Sequence, residues 1–225
     1  MGPGWQREIP EIKAVVRLSK PVDQLVEVGN TKVEEKNVLF VDSNFLQVFS
    51  FPLIKGNSTT ALQSNNNVLI TAATAKKYVG NEDALGKVMR LNNKDNFTVA
   101  GVLANPPSNS HLQFDILFPM STLARSDYDL QNNSWSNFVF YTYIQLNKNM
   151  VIASAGINKL AQRIDKIYKD HGQKIKIDFQ LQPLTDIHLH SRLQIDLPVN
   201  GNVQYVTIIF TVAIFTLLVW DASVQ

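Results

Sequence analysis

Short apolar runs broken by polar turns fill the first part of the chain and predict strands. Residues 12–18 (IKAVVRL) and 37–41 (NVLFV) are two predicted strands, and a polar turn around Gly29 lies between them. Residues 42–44 (DSN) can cap a helix, and the apolar side chains of residues 45–49 fall at helical spacing. The pattern therefore predicts strand, strand and short helix.

The next part of the chain reads as a compact strand-rich unit. Residues 68–70 predict a strand, and residues 71–79 (TAATAKKYV) predict a short helix that ends at Gly80. Residues 85–91 and 96–103 flank the sequence Asn-Asn-Lys-Asp, which predicts a hairpin.

The pattern of apolar and polar residues changes near residue 138. Residues 138–146 (FVFYTYIQL) are strongly β-prone, and residues 175–181 (IKIDFQL) predict a second strand. Residues 151–168, between them, predict a helix. Its apolar side chains recur on one face, at Ile157, Leu160, Ile164 and Ile167. This is the pattern of a βαβ unit, in which the helix covers one face of the sheet.

Together these patterns predict an α+β fold in which one subdomain interrupts another. The split subdomain consists of residues 5–60 plus 136–197 and contains the βαβ unit. The inserted, β-rich subdomain consists of residues 61–135. We expect the two connecting linkers, near residues 58–66 and 123–136, to act as hinges.

An uncharged apolar segment, residues 203–220 (VQYVTIIFTVAIFTLLVW), follows the folded region. As a helix it would be about 27 Å long, close to the hydrocarbon thickness of a bilayer. It predicts a complete or partial transmembrane helix, with a buried core helix or paired strands as the alternative. No comparable segment precedes residue 12, so we expect the chain to be a fragment of a longer exported protein.

Composition excludes several classes of protein. The 225 residues are 45% hydrophobic and 18% charged, which is typical of a chain that folds. The absence of cysteine excludes disulfide scaffolds, iron–sulfur clusters and thiol catalysis. The 21 basic and 19 acidic side chains are nearly balanced and scattered, which argues against a nucleic-acid partner.

Residues 80–87 superficially resemble a phosphate-binding loop but lack its spacing. Five residues separate Gly80 from Gly86 where the loop needs four, and Val88 stands where Ser or Thr would hold magnesium. We interpret the two glycines as a helix stop and a turn.

Adjacent carboxylates and clustered aromatic side chains are two further candidates for chemistry. The carboxylate pairs are Glu34-Glu35 and Glu82-Asp83. We interpret both pairs as solvated turn charges and not as acid–base pairs. Phe45, Phe49 and Phe51 could form a partner-binding patch, but a helix face followed by a strand explains them as core.

Asp186, His188 and His190 alternate in the sequence LTDIHLHS. On a strand they would share one face and form a candidate metal site. We prefer a solvent-facing strand edge, because no fourth ligand is indicated. The sequence therefore predicts no catalytic residue, no cofactor-binding residue and no metal ligand, and we expect neither an enzyme nor a bound cofactor.

Four stretches are distinctive in combination. They are residues 41–62 (VDSNFLQVFSFPLIKGNSTTAL), 68–91 (VLITAATAKKYVGNEDALGKVMRL), 97–121 (FTVAGVLANPPSNSHLQFDILFPMS) and 181–191 (LQPLTDIHLHS), followed by a change from polar to apolar residues at 200–206. In these stretches the chain resembles the periplasmic core domain of MacB-like and FtsX-like ABC transporter permeases, of the type common in Bacteroidetes.

This resemblance implies a Porter-like split subdomain and a Sabre-like inserted one, placed between the first two membrane helices. It also implies that a separate cytoplasmic ABC ATPase subunit hydrolyses ATP and that the permease relays this cycle across the inner membrane to a domain in the periplasm. The implied partners are the ATPase, the membrane, a second permease copy and a periplasmic partner protein. The resemblance transfers no catalytic residue to this chain.

We therefore expect a non-enzymatic domain that transmits conformational change. A ligand-sensing domain of a membrane receptor is the first alternative, and a concave site with convergent polar groups would favour it. A membrane-anchored hydrolase that uses Asp186, His188 and His190 is the second.

Overall fold

The structure, a computed structural model, describes residues 1–132, 134–147 and 154–190. It divides into a larger unit, residues 1–106 and 114–181, and a smaller unit, residues 107–113 and those from 182 onward. The strands of the larger unit are β1 (Ile12–Leu18), β2 (Val22–Val28), β3 (Thr31–Val41), β4 (Leu53–Gly56), β5 (Asn67–Thr71), β6 (Val88–Leu91), β7 (Asp95–Leu103), β8 (Ile116–Pro119) and β9 (Tyr141–Leu146). Its helices are α1 (Gly2–Glu8), α2 (Phe45–Val48), α3 (Ala72–Val79), α4 (Met120–Ala124), α5 (Tyr128–Gln131) and α6 (Ser154–Asp170).

Six strands of the larger unit form a closed circuit of pairings. In order they are β2, β6, β7, β5, β8 and β3, and β3 pairs again with β2. The circuit closes because β3 is 11 residues long. Residues 31–38 of β3 pair with β2, while residues 38–41 pair with β8. Strand β4 adds to β7, and β1 and β9 extend the sheet from β3.

The strands of this circuit share the main hydrophobic core. In the first part of β7 alternate residues are buried, with Phe97 at 1% and Val99 at 2% exposure, as expected of a strand with one face on the core. The last three residues of β7, 101–103, are all buried. The Phe118 ring of β8 contacts the rings of Phe97 and Phe40, with centroids 4.6 Å and 5.8 Å apart. The closed circuit leaves fewer free edges than an open sheet with the same strands.

A second apolar cluster joins α1, β1 and α6. Its buried members are Trp5, Ile9, Ile12, Val15, Leu160 and Ile164. The predicted apolar face of α6 is therefore confirmed, since Leu160 and Ile164 lie on it.

Local sequence signals set several element ends as predicted. The Thr71 side chain caps α3 by accepting a hydrogen bond from the Thr74 N–H at 3.3 Å, and Gly80 ends the helix with φ +62°. The predicted hairpin joins β6 and β7 through Asn92 and Asn93, which have φ +50° and +58°. Asparagine tolerates this left-handed conformation better than most residues.

The strand predicted over residues 175–181 is wrong, and the βαβ unit is therefore incomplete. The structure shows β9 and α6, but it assigns no strand to residues 175–181. Phe179 and Leu181 instead pack against the second apolar cluster. An alternating pattern makes a strand only where a neighbouring edge supplies ladder hydrogen bonds, and no described strand supplies them here.

The smaller unit contains one described helix, α7 (Leu184–His190). In its other described part, residues 107–113, the Gln113 amide donates hydrogen bonds to the carbonyls of Pro107 and Ser110. The predicted transmembrane segment, residues 203–220, lies outside the described residues. Among the described helices, none is long and apolar enough to cross a bilayer.

Candidate functional site

A bidentate ion pair joins the end of β1 to the end of β3. Leu18 and Val41 are register partners, which places Arg17 beside Asp42. The Arg17 Nε and Nη2 atoms donate hydrogen bonds to the two Asp42 carboxylate oxygens, each at 2.9 Å, and the Arg17 backbone N–H donates a third. Both side chains are less than one fifth exposed, so the pair is well shielded from water and sterically fixed.

Two cavities flank this pair, and both are lined by Arg17 and Leu130. The first, of about 190 Å³, has an aromatic wall that includes Trp5, Phe138 and Phe179. The second, of about 270 Å³, is lined on its other sides mainly by residues 62–65 and 119–124. Ligand pockets usually measure roughly 300–1,000 Å³, so each cavity is small for an organic ligand.

A second polar cluster lies between β3 and α3. The Glu35 carboxylate accepts hydrogen bonds from the Lys77 ammonium at 2.9 and 3.0 Å and from the Tyr78 hydroxyl at 2.6 Å. Glu35 is 5% exposed and Tyr78 8%. Burial, the hydrogen bond to Glu35 and its negative charge together raise the pKa of Tyr78 well above its usual range.

The interpretation of Glu35 as a solvated turn charge is therefore wrong. Glu35 falls at an inward position of β3, two residues after the partly buried Val33. This alternation was the sequence signal that could have predicted the burial of Glu35. The lysine and tyrosine that hydrogen-bond its carboxylate lie more than 40 residues away in the chain. The prediction for the other pair is confirmed, because Glu82 and Asp83 are well exposed.

The region that resembles a phosphate loop is a helix stop and a turn, as predicted. Gly80 and Gly86 have φ +62° and +76°. The Lys87 ammonium pairs with the Glu82 carboxylate at 2.7 Å. The lysine of a phosphate loop would instead face the phosphates.

The structure contradicts the strand that would have brought Asp186, His188 and His190 together. These residues lie in the helix α7 and not on a strand, so the period-two alternation that predicted one shared face does not apply to them. In the part of the chain that the structure describes, no three His, Cys, Asp or Glu side chains are grouped to hold a metal ion.

The aromatic residues near Pro52 are mostly core, as predicted. Phe45 is 0% and Phe49 8% exposed. Phe45 stacks on Phe51 with centroids 5.7 Å apart, and Phe114 contacts both of these rings edge-on. These contacts favour packing over a partner-binding patch.

Most of the chain matches one known protein family. Residues 3–166 match the family described as the MacB-like periplasmic core domain. This chain belongs to that family. The match covers every described strand and most of α6, including both polar clusters. No curated protein matches the chain at a significant level.

Solved structures of such domains have a similar fold. A domain of a Porphyromonas gingivalis protein described as a permease is 26% identical, with 76% of each chain covered and a TM-score of 0.63. The periplasmic region of MacB from Actinobacillus actinomycetemcomitans is 18% identical over 73% of this chain and 71% of that one, with a TM-score of 0.55. The extracellular domain of the ABC-type transporter YknZ from Gram-positive bacteria is 16% identical over 80% of this chain and 88% of that one, with a TM-score of 0.56. The chain thus has the mixed α/β fold of MacB-like periplasmic domains.

Proposed function

We propose that this chain is a non-enzymatic periplasmic domain of an inner-membrane ABC transporter permease. In this proposal it transmits conformational change between a separate cytoplasmic ATPase subunit and a periplasmic partner or substrate. It would act beside a second permease copy, with residues 203–220 continuing into the membrane. Its family supports this proposal, because the family is one of periplasmic core domains.

One structural observation carries the mechanical part of the proposal. Residues from α1 and from the segment that follows α6 pack into the same apolar cluster. The rings of Trp5 and Phe179 meet edge-on at 5.7 Å, and Tyr168 of α6 contacts Phe179 at 5.4 Å. If membrane helices lie on both sides of this domain, as the resemblance implies, movement of either helix would reach this cluster first.

The ion pair provides a route from this cluster to the closed circuit of strands. Ile12 and Val15 belong both to the second apolar cluster and to β1. Arg17 is the second-last residue of the same strand. Arg17 holds Asp42, the residue that follows β3, and β3 belongs to the circuit. A packed core and a bidentate pair transmit displacement because neither deforms without losing contacts.

The division into subdomains stays part of the proposal. The split part would be residues 5–60 plus 136–197, the inserted part residues 61–135, and the hinges would lie near residues 58–66 and 123–136. The ligand-sensing alternative is less well supported, because both cavities beside Arg17 are small for an organic ligand.

This chain contains no cysteine, so within it spin labels attach only at introduced cysteines. In the full-length permease, reconstituted with its ATPase, spin labels are attached to Val88→Cys and Ile175→Cys, whose native side chains are 55% and 60% exposed. We expect the distance distribution between the labels to shift when ATP binds. Lys13→Cys with Ile175→Cys is the control pair, since both positions lie in the proposed split part and their distance should stay constant. An unchanged Val88 to Ile175 distance during ATP turnover would contradict the proposal.

A further inference from the structure

One long segment of the larger unit contributes no fully buried residue. Every described residue from 121 to 140 is at least partly exposed, and we call residues 121–132 and 134–140 the strap. The residues just before it, β8 and Met120, are all buried. By contrast, the linker at residues 58–66 contains the buried residues Ala61 and Leu62. A segment with little buried surface can open locally at a low free-energy cost.

Arg125 anchors the first end of the strap to the strands. Its Nη1 atom pairs with the Asp95 carboxylate at 3.0 Å, and its Nη2 atom donates to the Asn66 side chain at 2.9 Å and to the Asn65 carbonyl at 3.3 Å. The guanidinium also lies 5.9 Å from the centre of the Phe97 ring. Arg125 therefore ties the strap both to β7 and to the other linker.

Trp135 anchors the second end to α1 and α6. Its indole stacks on the His171 imidazole with centroids 4.0 Å apart and planes 15° apart. The indole also lies against α1, because a Cβ on Gly4 would be 2.5 Å from Trp135 Cζ2. His171 also hydrogen-bonds the Glu8 carboxylate at 2.7 Å, which ties the ends of α1 and α6 together.

The two anchors differ in how firmly they hold. Arg125 makes three hydrogen bonds and directly follows α4, whose first residue, Met120, is buried. The Trp135 indole makes no such set of polar contacts: it packs on the His171 ring, which is itself 37% exposed, and against the second apolar cluster.

Leu123, Leu130 and Phe140 of the strap pack against the main hydrophobic core, and Leu130 also lines both cavities beside Arg17. The inner side of the strap therefore borders core in part and cavity in part.

We propose that the strap detaches at its Trp135 end without unfolding of the strands, and that while it is attached it couples α1 and α6 to β7. The coupling part rests on the proposed function. The connection runs from Glu8 and His171 through Trp135 to Arg125, and from Arg125 to Asp95 at the start of β7. Release of Trp135 breaks this connection at one point while the Arg125 end stays in place.

Hydrogen exchange followed by mass spectrometry tests the detachment on the 225-residue chain. We expect strap amides to exchange faster than β7 amides under native conditions, because they open without global unfolding. Trp135→Ala should speed strap exchange a further tenfold, roughly, and leave β7 exchange unchanged, since it removes the packing of the indole while the strand pairings remain. Trp135→Phe should fall between this variant and the wild type, and Tyr128→Phe, at a 76% exposed position of the strap, serves as the control.

Two results would overturn the detachment. In the first, strap amides of the wild type exchange only at the rate of global unfolding. In the second, Trp135→Ala accelerates β7 as much as the strap, which would make Trp135 a general structural residue.

The coupling is tested separately in the reconstituted permease with the labels at positions 88 and 175. We expect Trp135→Ala to reduce the ATP-dependent change in their distance about twofold or more, with ATP hydrolysis continuing. An unaltered change in this variant would refute the strap as the coupling element and leave the proposed function standing. No ATP-dependent change in the wild type would refute the proposed function and the coupling, while the exchange data would still decide whether the strap detaches.

Discussion

The hydroxyl of Tyr78 donates a 2.6 Å hydrogen bond to the carboxylate of Glu35, and both side chains are buried. Lys77, the neighbour of Tyr78 on α3, completes the cluster with an ammonium that is 44% exposed. A carboxylate out of water needs such partners, because an unsatisfied buried charge is strongly destabilising. This cluster therefore fixes α3 on the middle of β3.

The first prediction concerns stability at alkaline pH. The pKa of Tyr78 is raised by burial and by Glu35, so the folded chain keeps a proton that the unfolded chain loses above about pH 10. The stabilising contribution is complete below that pH and is lost as the pH rises further, by up to about 1.4 kcal/mol per pH unit. Urea unfolding between pH 9 and 11.5 should show a steeper loss for the wild type than for Tyr78→Phe.

The matched control for this experiment is Tyr128→Phe, because the Tyr128 side chain is 76% exposed. Its pH dependence should follow that of the wild type. Equal slopes for Tyr78→Phe and the wild type would show that Tyr78 does not carry the effect.

The second prediction concerns the lysine of the same cluster. Lys77→Met should lower the free energy of unfolding by about 1–3 kcal/mol, since it leaves the Glu35 carboxylate with one partner fewer while Lys77 itself is partly solvated. Lys76→Met, one position earlier on α3, should change it by less than about 0.5 kcal/mol. Urea unfolding at pH 7 measures both.

A double variant then isolates the interaction between the two charges. Glu35→Gln in the Lys77→Met chain removes the uncompensated charge, so the double variant should be more stable than the sum of the single effects. Strict additivity would mean that the pair contributes nothing beyond its separate side chains.

The third prediction concerns Gly4 and Trp135. In a helix, Gly→Ala ordinarily adds about 0.5–1 kcal/mol of stability. At Gly4 the new Cβ would meet the Trp135 ring at 2.5 Å, so the indole would have to give up its packing on His171 or α1 would have to shift. Gly4→Ala should therefore destabilise the wild type by about 1–2 kcal/mol but stabilise the Trp135→Ala chain.

Thermal or urea unfolding of the four chains in this cycle measures the reversal of sign. If Gly4→Ala changes the free energy of unfolding equally with and without Trp135, the contact between the indole and α1 does not explain the glycine at position 4.

The fourth prediction concerns the pair at the ends of β1 and β3. Arg17→Lys keeps the charge but cannot donate two parallel hydrogen bonds to Asp42, so it should cost about 1–2 kcal/mol of stability. Lys13→Arg, at an exposed position of β1, is the control and should be nearly neutral. A neutral Arg17→Lys would mean that the bidentate geometry contributes little, and the proposed route through this pair would lose its support.

Sequence signals predicted the local structure correctly where that structure depends on residues close together in the chain. The turn at Gly29, the Thr71 cap with the Gly80 stop and the apolar face of α6 depend on residues within a few positions of each other, and the structure confirms them. The resemblance to the family also came from contiguous stretches and is confirmed.

Partners far apart in the chain decided the rest. The candidate site depends on such partners, because Glu35 meets Tyr78 across 43 positions and Arg17 meets Asp42 across 25. The sequence shows these charged side chains, but it does not show which distant residue forms the ion pair or hydrogen bond with each of them.

The amino-acid sequence alone determined the family, the mixed class of α and β structure, and the ends of several elements, because turns, caps and apolar periodicity are properties of adjacent residues. The tertiary structure decided that residues 175–181 remain outside the sheet, that six strands close a circuit through β3, and that the strap is held by Arg125 and Trp135. Each of these depends on whether a distant edge, ring or carboxylate is within reach, and a pattern along the chain carries no information about that distance.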